Sequence, residues 1–211
     1  MEIKNVLLVG CGGGGNYILG ALACSFPKLI VADGDTYEDK NLNRQPHAIT
    51  GENKANAAVA QLANKYPGVM SHPHMIKGDE TFGDLDLIVS CVDNNEARAA
   101  VKELADIHDA PLVVCQNDVR DAEAYLYLPN TSGMSIDPYE RYNLSDLQEP
   151  EQTCEEVIED PVEQTAFANL VSAGNGMLII QSLVHEKDQK NYLSEVRSIP
   201  HPQCKKIRHF L

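Results

Sequence analysis

The run Gly10-Cys11-Gly12-Gly13-Gly14-Gly15 follows at once on the apolar tetrapeptide Val6-Leu7-Leu8-Val9 and precedes a helix-compatible stretch from Asn16 to Cys24. Glycines at this density strip side chains from a tight turn, so its backbone N–H groups can approach an anion at a helix start. The order strand, G-x-G-x-x-G turn, helix is the opening unit of an open parallel α/β sheet. No G-x-x-x-x-G-K-[ST] pattern occurs, so any phosphate is held without that lysine-bearing turn.

The rest of the chain continues the alternation. Leu29 to Ala32 reads as a second buried strand ending at Asp33, and Lys54 to Lys65 as an alanine-rich helix. Strands are expected over Ser71–Lys77, Leu85–Cys91 and Pro111–Cys115. Asn94 to His108 has helical spacing, with Ala97, Val101, Leu104 and Ala105 on one face. Ala122 to Leu128 alternates and reads as an antiparallel extension of the sheet. Pro129, Pro138, Pro150 and Pro161 then break the pattern, which predicts a long crossover loop over 129–163. A long helix is expected from Gln164 to Val184, and nothing regular can be assigned from Ser194 onward. Short connections between alternating elements predict one doubly wound α/β domain over 1–211, a mostly parallel Rossmann-like sheet with an antiparallel extension.

Charge and cysteine usage narrow the class. The formal net charge of −14 repels phosphate backbones, so a nucleic-acid partner is not expected. The six cysteines form no C-x-x-C pair, which argues against a four-cysteine zinc site and suits a reducing compartment. The N-terminus lacks a signal-peptide layout and no uninterrupted apolar run approaches a membrane span, so a cytoplasmic protein with no membrane association is expected. His72 and His74, like His201 and Cys204, lack the further ligands of a metal site.

Three later features bear on chemistry. Asp33, ending the second strand, is placed to accept hydrogen bonds from ribose hydroxyls. With the glycine turn alone, a nicotinamide-dependent oxidoreductase is the ordinary reading. The segment Asp33-Gly34-Asp35 through Asn41-Leu42-Asn43-Arg44-Gln45 adds a guanidinium fork and two amides, of no evident use to hydride transfer but suited to phosphate oxygens. Asp93, ending the buried strand before Asn94, stands at the sheet edge where ligands bind and is placed to hold Mg²⁺. Lys54 adds a second cation.

Together these residues resemble the ThiF/MoeB family of ubiquitin-like-protein activating enzymes. That family's G-x-G-G-x-G, D-x-D…N-L-x-R-Q, lysine and C-x-D-N signatures stand here as Gly10, Gly12, Gly13 and Gly15; Asp33, Asp35, Asn41, Leu42, Arg44 and Gln45; Lys54; and Cys91, Asp93 and Asn94, with Arg98 following. The resemblance runs from about Asn5 to Tyr127 and more loosely through the last helix. It implies ATP and Mg²⁺ as cofactors. It places Asp33 on the ribose, Asn41, Arg44 and Lys54 on the phosphates, Gln45 in support, Asp93 on the metal, and the glycine turn with Asp35 and Asn94 along the nucleotide. It further implies a ubiquitin-like or sulfur-carrier protein, or a peptide, as substrate, and a homodimer.

The sequence departs from the family in places. A leading helix with an arginine for the neighbouring subunit is not expected, because the first strand begins almost at Met1; zinc-binding cysteine pairs are missing as well. Lys40 replaces a frequent serine, and Gly14 a larger apolar residue. The resemblance offers Cys154 as a covalent acceptor that would take the activated carrier as a thioester. Glu155 and Glu156 oppose its thiolate, and an ordinary loop cysteine is the alternative. Carboxylate adenylation, nicotinamide-dependent oxidoreduction and non-catalytic nucleotide or carrier binding are the readings carried forward.

Overall fold

The computed structural model describes residues 2–117, 122–131, 135–144, 166–186, 193, 195–198 and 205–208. Five parallel strands form its centre: β1 (Asn5–Val9), β2 (Lys28–Ala32), β3 (Val69–His72), β4 (Leu87–Ser90) and β5 (Leu112–Asn117). The antiparallel strands β6 (Ala122–Tyr127), β7 (Glu195–Ser198) and β8 (Lys205–Arg208) complete an eight-stranded sheet of order β3-β2-β1-β4-β5-β6-β7-β8. The chain reverses its direction of travel across the sheet between β1 and β4, and the crevice of such a sheet opens there, beyond the strands' carboxyl ends.

Period-2 alternation sends side chains into two cores. Val6, Leu8, Leu29, Val31, Leu87, Val89, Val113 and Leu126 pack on one face with Ile18, Leu19 and Leu22 of helix α1 (Gly13–Ser25), Ala55 and Ala58 of α2 (Lys54–Leu62), and Ile179, Ile180 and Leu183 of α5 (Ala166–His185). Leu7, Val9, Ile88, Leu112, Val114 and Tyr125 pack on the other with Val101, Leu104 and Ala105 of α3 (Asn95–His108). Strands covered on both faces read as continuous apolar runs, which is why β1 and β4 are legible. The two layers of helices on a mostly parallel sheet are the doubly wound arrangement expected.

Local chemistry sets the helix ends. α1 stops at Phe26, whose extended backbone is the conformation favoured before Pro27. Asn53 and Asn94 cap α2 and α3 by accepting the N–H groups of Asn56 and Ala97. The short helix α4 (Pro138–Tyr142) begins with Asp137 accepting from Tyr139 N–H and with proline in its first turn. α5 lies close to the sheet, because Gly176 presents no Cβ to the Cys115 sulfur. Ser172 Oγ and Asn175 Nδ2 donate to the carbonyls of Glu123 and Ala122, at 3.3 and 3.0 Å. Among the described residues α5 alone is long and apolar enough to cross a bilayer, but half of that window is buried, as in a core helix.

Several boundaries differ from expectation. α1 begins inside the glycine turn, because the turn already carries helical geometry from Gly13. β3 is Val69–His72 rather than Ser71–Lys77: its pairing with β2 runs only from Leu29↔Val69 to Ala32↔His72. The crossover stretch contains α4, which is too short for its periodicity to register. β7 and β8 owe their existence to tertiary pairing on the edge of β6. Residues 145–165, including Cys154, lie outside the described residues.

Candidate functional site

At the carboxyl edge between β1, β2 and β4 lies a cavity of about 220 Å³. Gly10, Gly12 and Gly13, Asp33 and Asp35, Arg44 and Gln45, Lys54, Asp93 and Asn94 all border it. Gly15 and Asn41 do not.

The glycine turn divides its glycines between two tasks. Gly10 has φ +88°, and a Cβ there would sit 2.8 Å from the Cys91 carbonyl oxygen. A Cβ on Gly15 would collide with the Gly10 carbonyl, and one on Gly13 with the Asn169 amide. These glycines are demanded by packing. Gly12 is not: a Cβ there would meet nothing within 4 Å, and one on Gly14 only the Cys91 side chain, at 3.9 Å. Gly12 therefore opens directly onto the cavity, with no protein atom over it.

Asp33 is fixed by the turn it faces. Its Oδ2 accepts from Cys11 N–H at 2.6 Å and its Oδ1 from Asp35 N–H at 2.8 Å. Burial raises its pKa, while the charge of Lys54 and those two N–H groups pull the other way. Asn53 Nδ2 donates to the carbonyls of Asp33 and Asp35, at 2.9 and 3.0 Å, so the residue that caps α2 also fixes the end of β2. Lys54 follows that cap and places Nζ 3.0 Å from Asp35 Oδ2, with its side chain 13% exposed against 51% for Asp35.

The arginine segment folds back over the turn. Tyr37 pairs with it through backbone bonds to Glu52 and Gly51. Buried Asn16 donates from Nδ2 to Cys11 O and Tyr37 Oη, and its Oδ1 accepts His47 N–H at 2.8 Å. Asn16 therefore ties the glycine turn to the arginine segment, a role its place in a helix-like stretch does not announce. Asn41 is 2% exposed; its Oδ1 accepts Glu38 N–H, and the Gln45 N–H bonds to its carbonyl at 3.0 Å. It shapes the bend that presents Arg44 and Gln45 and does not itself reach the cavity. Arg44 is 9% exposed and Gln45 5%, and the Gln45 Oε1 is buried without a hydrogen-bond partner among the described residues.

On the opposite wall Asp93 is exposed at the head of α3 and Asn94 serves as that helix's cap. Arg98 Nη1 donates to Asn95 Oδ1 at 2.9 Å, and its guanidinium lies 4.4 Å from the Tyr142 ring centroid. No cluster of three or more His, Cys, Asp or Glu suited to a metal exists among the described residues. Asp93 alone fits the way Mg²⁺ is commonly held, by one or two carboxylates with phosphates and water filling the rest.

Beneath the site, burial and the nearby Asp33 push the Cys11 thiol up to about 12. Hydrogen bonding to Cys115 and burial raise that of Cys91. Neither is a ready nucleophile. A further part of the wall comes from Cys115, Gln116 and Asn117 of β5 and Asn169 of α5, none of them marked by a motif. The one available signal for Asn169 is an amide inside the apolar run Ala166-Phe167-Ala168-Asn169-Leu170.

Comparison with known proteins agrees with this geometry. A family model described as the ThiF family matches residues 2–193. The ubiquitin-like modifier-activating enzyme 5 of Bombyx mori is 38% identical over 118 residues, which cover 46% of this chain and 30% of that protein. The Caenorhabditis elegans protein of the same name is 37% identical over 118 residues, covering 46% and 28%. The matched segment thus spans under a third of these relatives' length. Among solved structures, E. coli MccB with succinimide superposes with a TM-score of 0.72 at 17% identity, covering 98% of this chain and 64% of that one. PaaA gives 0.70 at 18% identity, with coverage of 98% and 64%. At such identities these two show a shared fold.

Proposed function

From the fact that this chain belongs to the ThiF family, we propose that it binds ATP in the cavity at the sheet switch and activates a carboxylate as an acyl-adenylate. The observation that carries this reading is the meeting, in one cavity, of a glycine turn with ligand space above Gly12, a carboxylate at Asp33, cations at Arg44 and Lys54, and a carboxylate at Asp93. The chemical step of hydride transfer releases no pyrophosphate, so it gains less from two cations here than adenylation does.

In this reading Asp33 accepts the ribose hydroxyls through the lone pairs its two N–H partners leave. A carboxylate oxygen of the substrate attacks the α-phosphorus, a C–O–P linkage forms, and the bond to the β-phosphate breaks with its electron pair leaving on pyrophosphate. Arg44 and Lys54 neutralise that departing charge, so alignment and electrostatics supply most of the acceleration. When Mg²⁺ is bound, Asp93 would hold it, and it would supply further neutralisation of the phosphate charge. No protein base is needed, since a carboxylate is already ionised at neutral pH.

The substrate class is part of the same proposal: the terminal carboxylate of a small carrier protein or a peptide. The relatives' names refer to ubiquitin-like modifiers, and MccB has been crystallised with ATP and with N-formylated MccA. Action as a cytoplasmic homodimer, and transfer to Cys154 as a thioester, belong to the proposal as well.

The test is ATP–pyrophosphate exchange with Mg²⁺ and candidate carriers, including peptides ending in Gly-Gly, for wild type, Asp93→Ala and Arg44→Ala. Carrier-dependent exchange, reduced at least a hundredfold in both variants, supports the reading. ATP binding without exchange for any carrier points to a binding module instead. Failure to bind ATP, with NADH bound in its place, sinks the proposal.

A further inference from the structure

Asn169 stands in the first turn of α5 with 5% of its surface exposed. Its amide hydrogen-bonds to no other described residue. The buried polar residues farther along the helix behave differently, since Ser172 and Asn175 bond to carbonyls of β6. Asn169 instead borders the cavity and presses against Gly13, whose missing Cβ makes room for it.

Gly13 is the first residue of α1, a helix of 13 residues. Its cap is Gly12, no side chain satisfies its leading N–H groups, and no acid lies in its first turn. The first helix-satisfied N–H in this turn is that of Asn16, which bonds to Gly12 O at 3.0 Å. The positive end of α1, a buried amide without a partner among the described residues and the open space above Gly12 therefore meet at one point. Uncapped N–H groups and the helix field favour an anion there, and an amide on a cavity wall with no protein partner is open to a ligand acceptor.

We propose that the N-terminus of α1 and the Asn169 amide form an oxyanion subsite, which holds an oxygen of the reacting carboxylate or of the α-phosphate it attacks. The subsite rests on the adenylation reading. It assigns to α5 a direct contact with the reacting groups, with Asn169 Nδ2 as donor. Both sources offer the same chemistry, a charged oxygen acceptor.

Calorimetric titration of the full chain tests this with three probes: ATP with Mg²⁺, 5′-O-(N-glycylsulfamoyl)adenosine as a stable acyl-adenylate mimic, and adenosine. The variants are Asn169→Ala and the near-isosteric Asn169→Asp, which sets a carboxylate against the bound oxyanion. Thermal unfolding checks that each is folded, and where one variant is not, the other decides. The expected result is binding about ten- to a hundredfold weaker for ATP or for the glycyl compound, as loss of a hydrogen bond to a charged group implies, with adenosine unaffected. Weakening with ATP identifies a phosphate oxygen; weakening confined to the glycyl compound identifies the carboxylate oxygen. Unchanged affinity for both in a folded variant overturns the subsite and leaves the adenylation reading intact. Wild type that binds neither overturns both.

Discussion

The Asp33 carboxylate accepts the Cys11 backbone N–H at 2.6 Å and so fastens the end of β2 to the start of the glycine turn. A second N–H, from Asp35, occupies its other oxygen. Replacement by alanine leaves the part-buried Cys11 N–H unpaired, at a cost of about 1–3 kcal/mol in stability. Nucleotide affinity should fall as well, at least tenfold by titration with ATP. Asp33→Ala that keeps wild-type stability and affinity would deny the residue either role.

The raised pKa of Asp33 gives this contact a pH dependence. An acid whose folded pKa lies above its unfolded value contributes stability below the ordinary aspartate range and loses that contribution as pH rises through the raised value. In the proposed reading ligand binding runs the opposite way, because ribose hydroxyls donate best to an ionised acceptor. Adenosine affinity of wild type should therefore drop on acidification at a pH above the ordinary aspartate value of 3.8. The variant Asp33→Asn carries an amide that cannot titrate, so its profile should be flat over the same window; parallel profiles would rule Asp33 out as the titrating group.

Gly12 and Gly15 should separate binding from folding. Gly15→Ala drives a methyl group into the Gly10 carbonyl, and overpacking of this kind costs about 1–3 kcal/mol or more. Gly12→Ala meets open space, so its melting temperature should match wild type while ATP binding weakens by an order of magnitude or more. Gly12→Ala with unaltered ATP affinity would show that the nucleotide does not pass over this residue.

Arg141 and Glu123 form a pair at 2.5 Å with side chains 22% and 6% exposed, joining α4 to β6, and Arg141 also reaches Glu195 of β7 at 3.4 Å. Removing Glu123 leaves the part-buried Arg141 guanidinium with the longer contact to Glu195, at 3.4 Å. Glu123→Ala should lower stability by about 1–3 kcal/mol in urea titration, the cost of losing a hydrogen-bonded partner of a charged group, with β7 exchanging its amide hydrogens faster. A loss below about 0.5 kcal/mol would mean that the pair is effectively solvated.

Thiol reactivity should follow burial. Cys24 is exposed, whereas Cys11 is buried with its thiol raised to about 12. Iodoacetamide at a pH of about 8, near the ordinary thiol range, should modify Cys24 readily and Cys11 only on unfolding, as read by peptide mass spectrometry. Prompt labelling of native Cys11 would contradict the buried placement of the turn.

Much of this protein was determined by local sequence. Apolar tetrads between turn residues mark β1, β2 and β4, because strands buried on both faces need an apolar residue at every position. The glycine turn, Asp33, the Arg44 segment, Lys54 and Asp93 declare a nucleotide-type site, since each residue type suits one part of a charged ligand. Tertiary structure alone decided the rest. That Asn41 braces a bend while Arg44 faces the cavity follows from how the segment folds back onto Tyr37 and Asn16. That Asn169 in the last helix reaches Gly13 in the first follows from α5 crossing the sheet beside α1. β7 and β8 exist because β6 offers them an edge. The physical reason is common to all three: periodicity and turn chemistry act over a few neighbouring residues, whereas a cavity wall is assembled from segments that sheet order brings together across the whole chain.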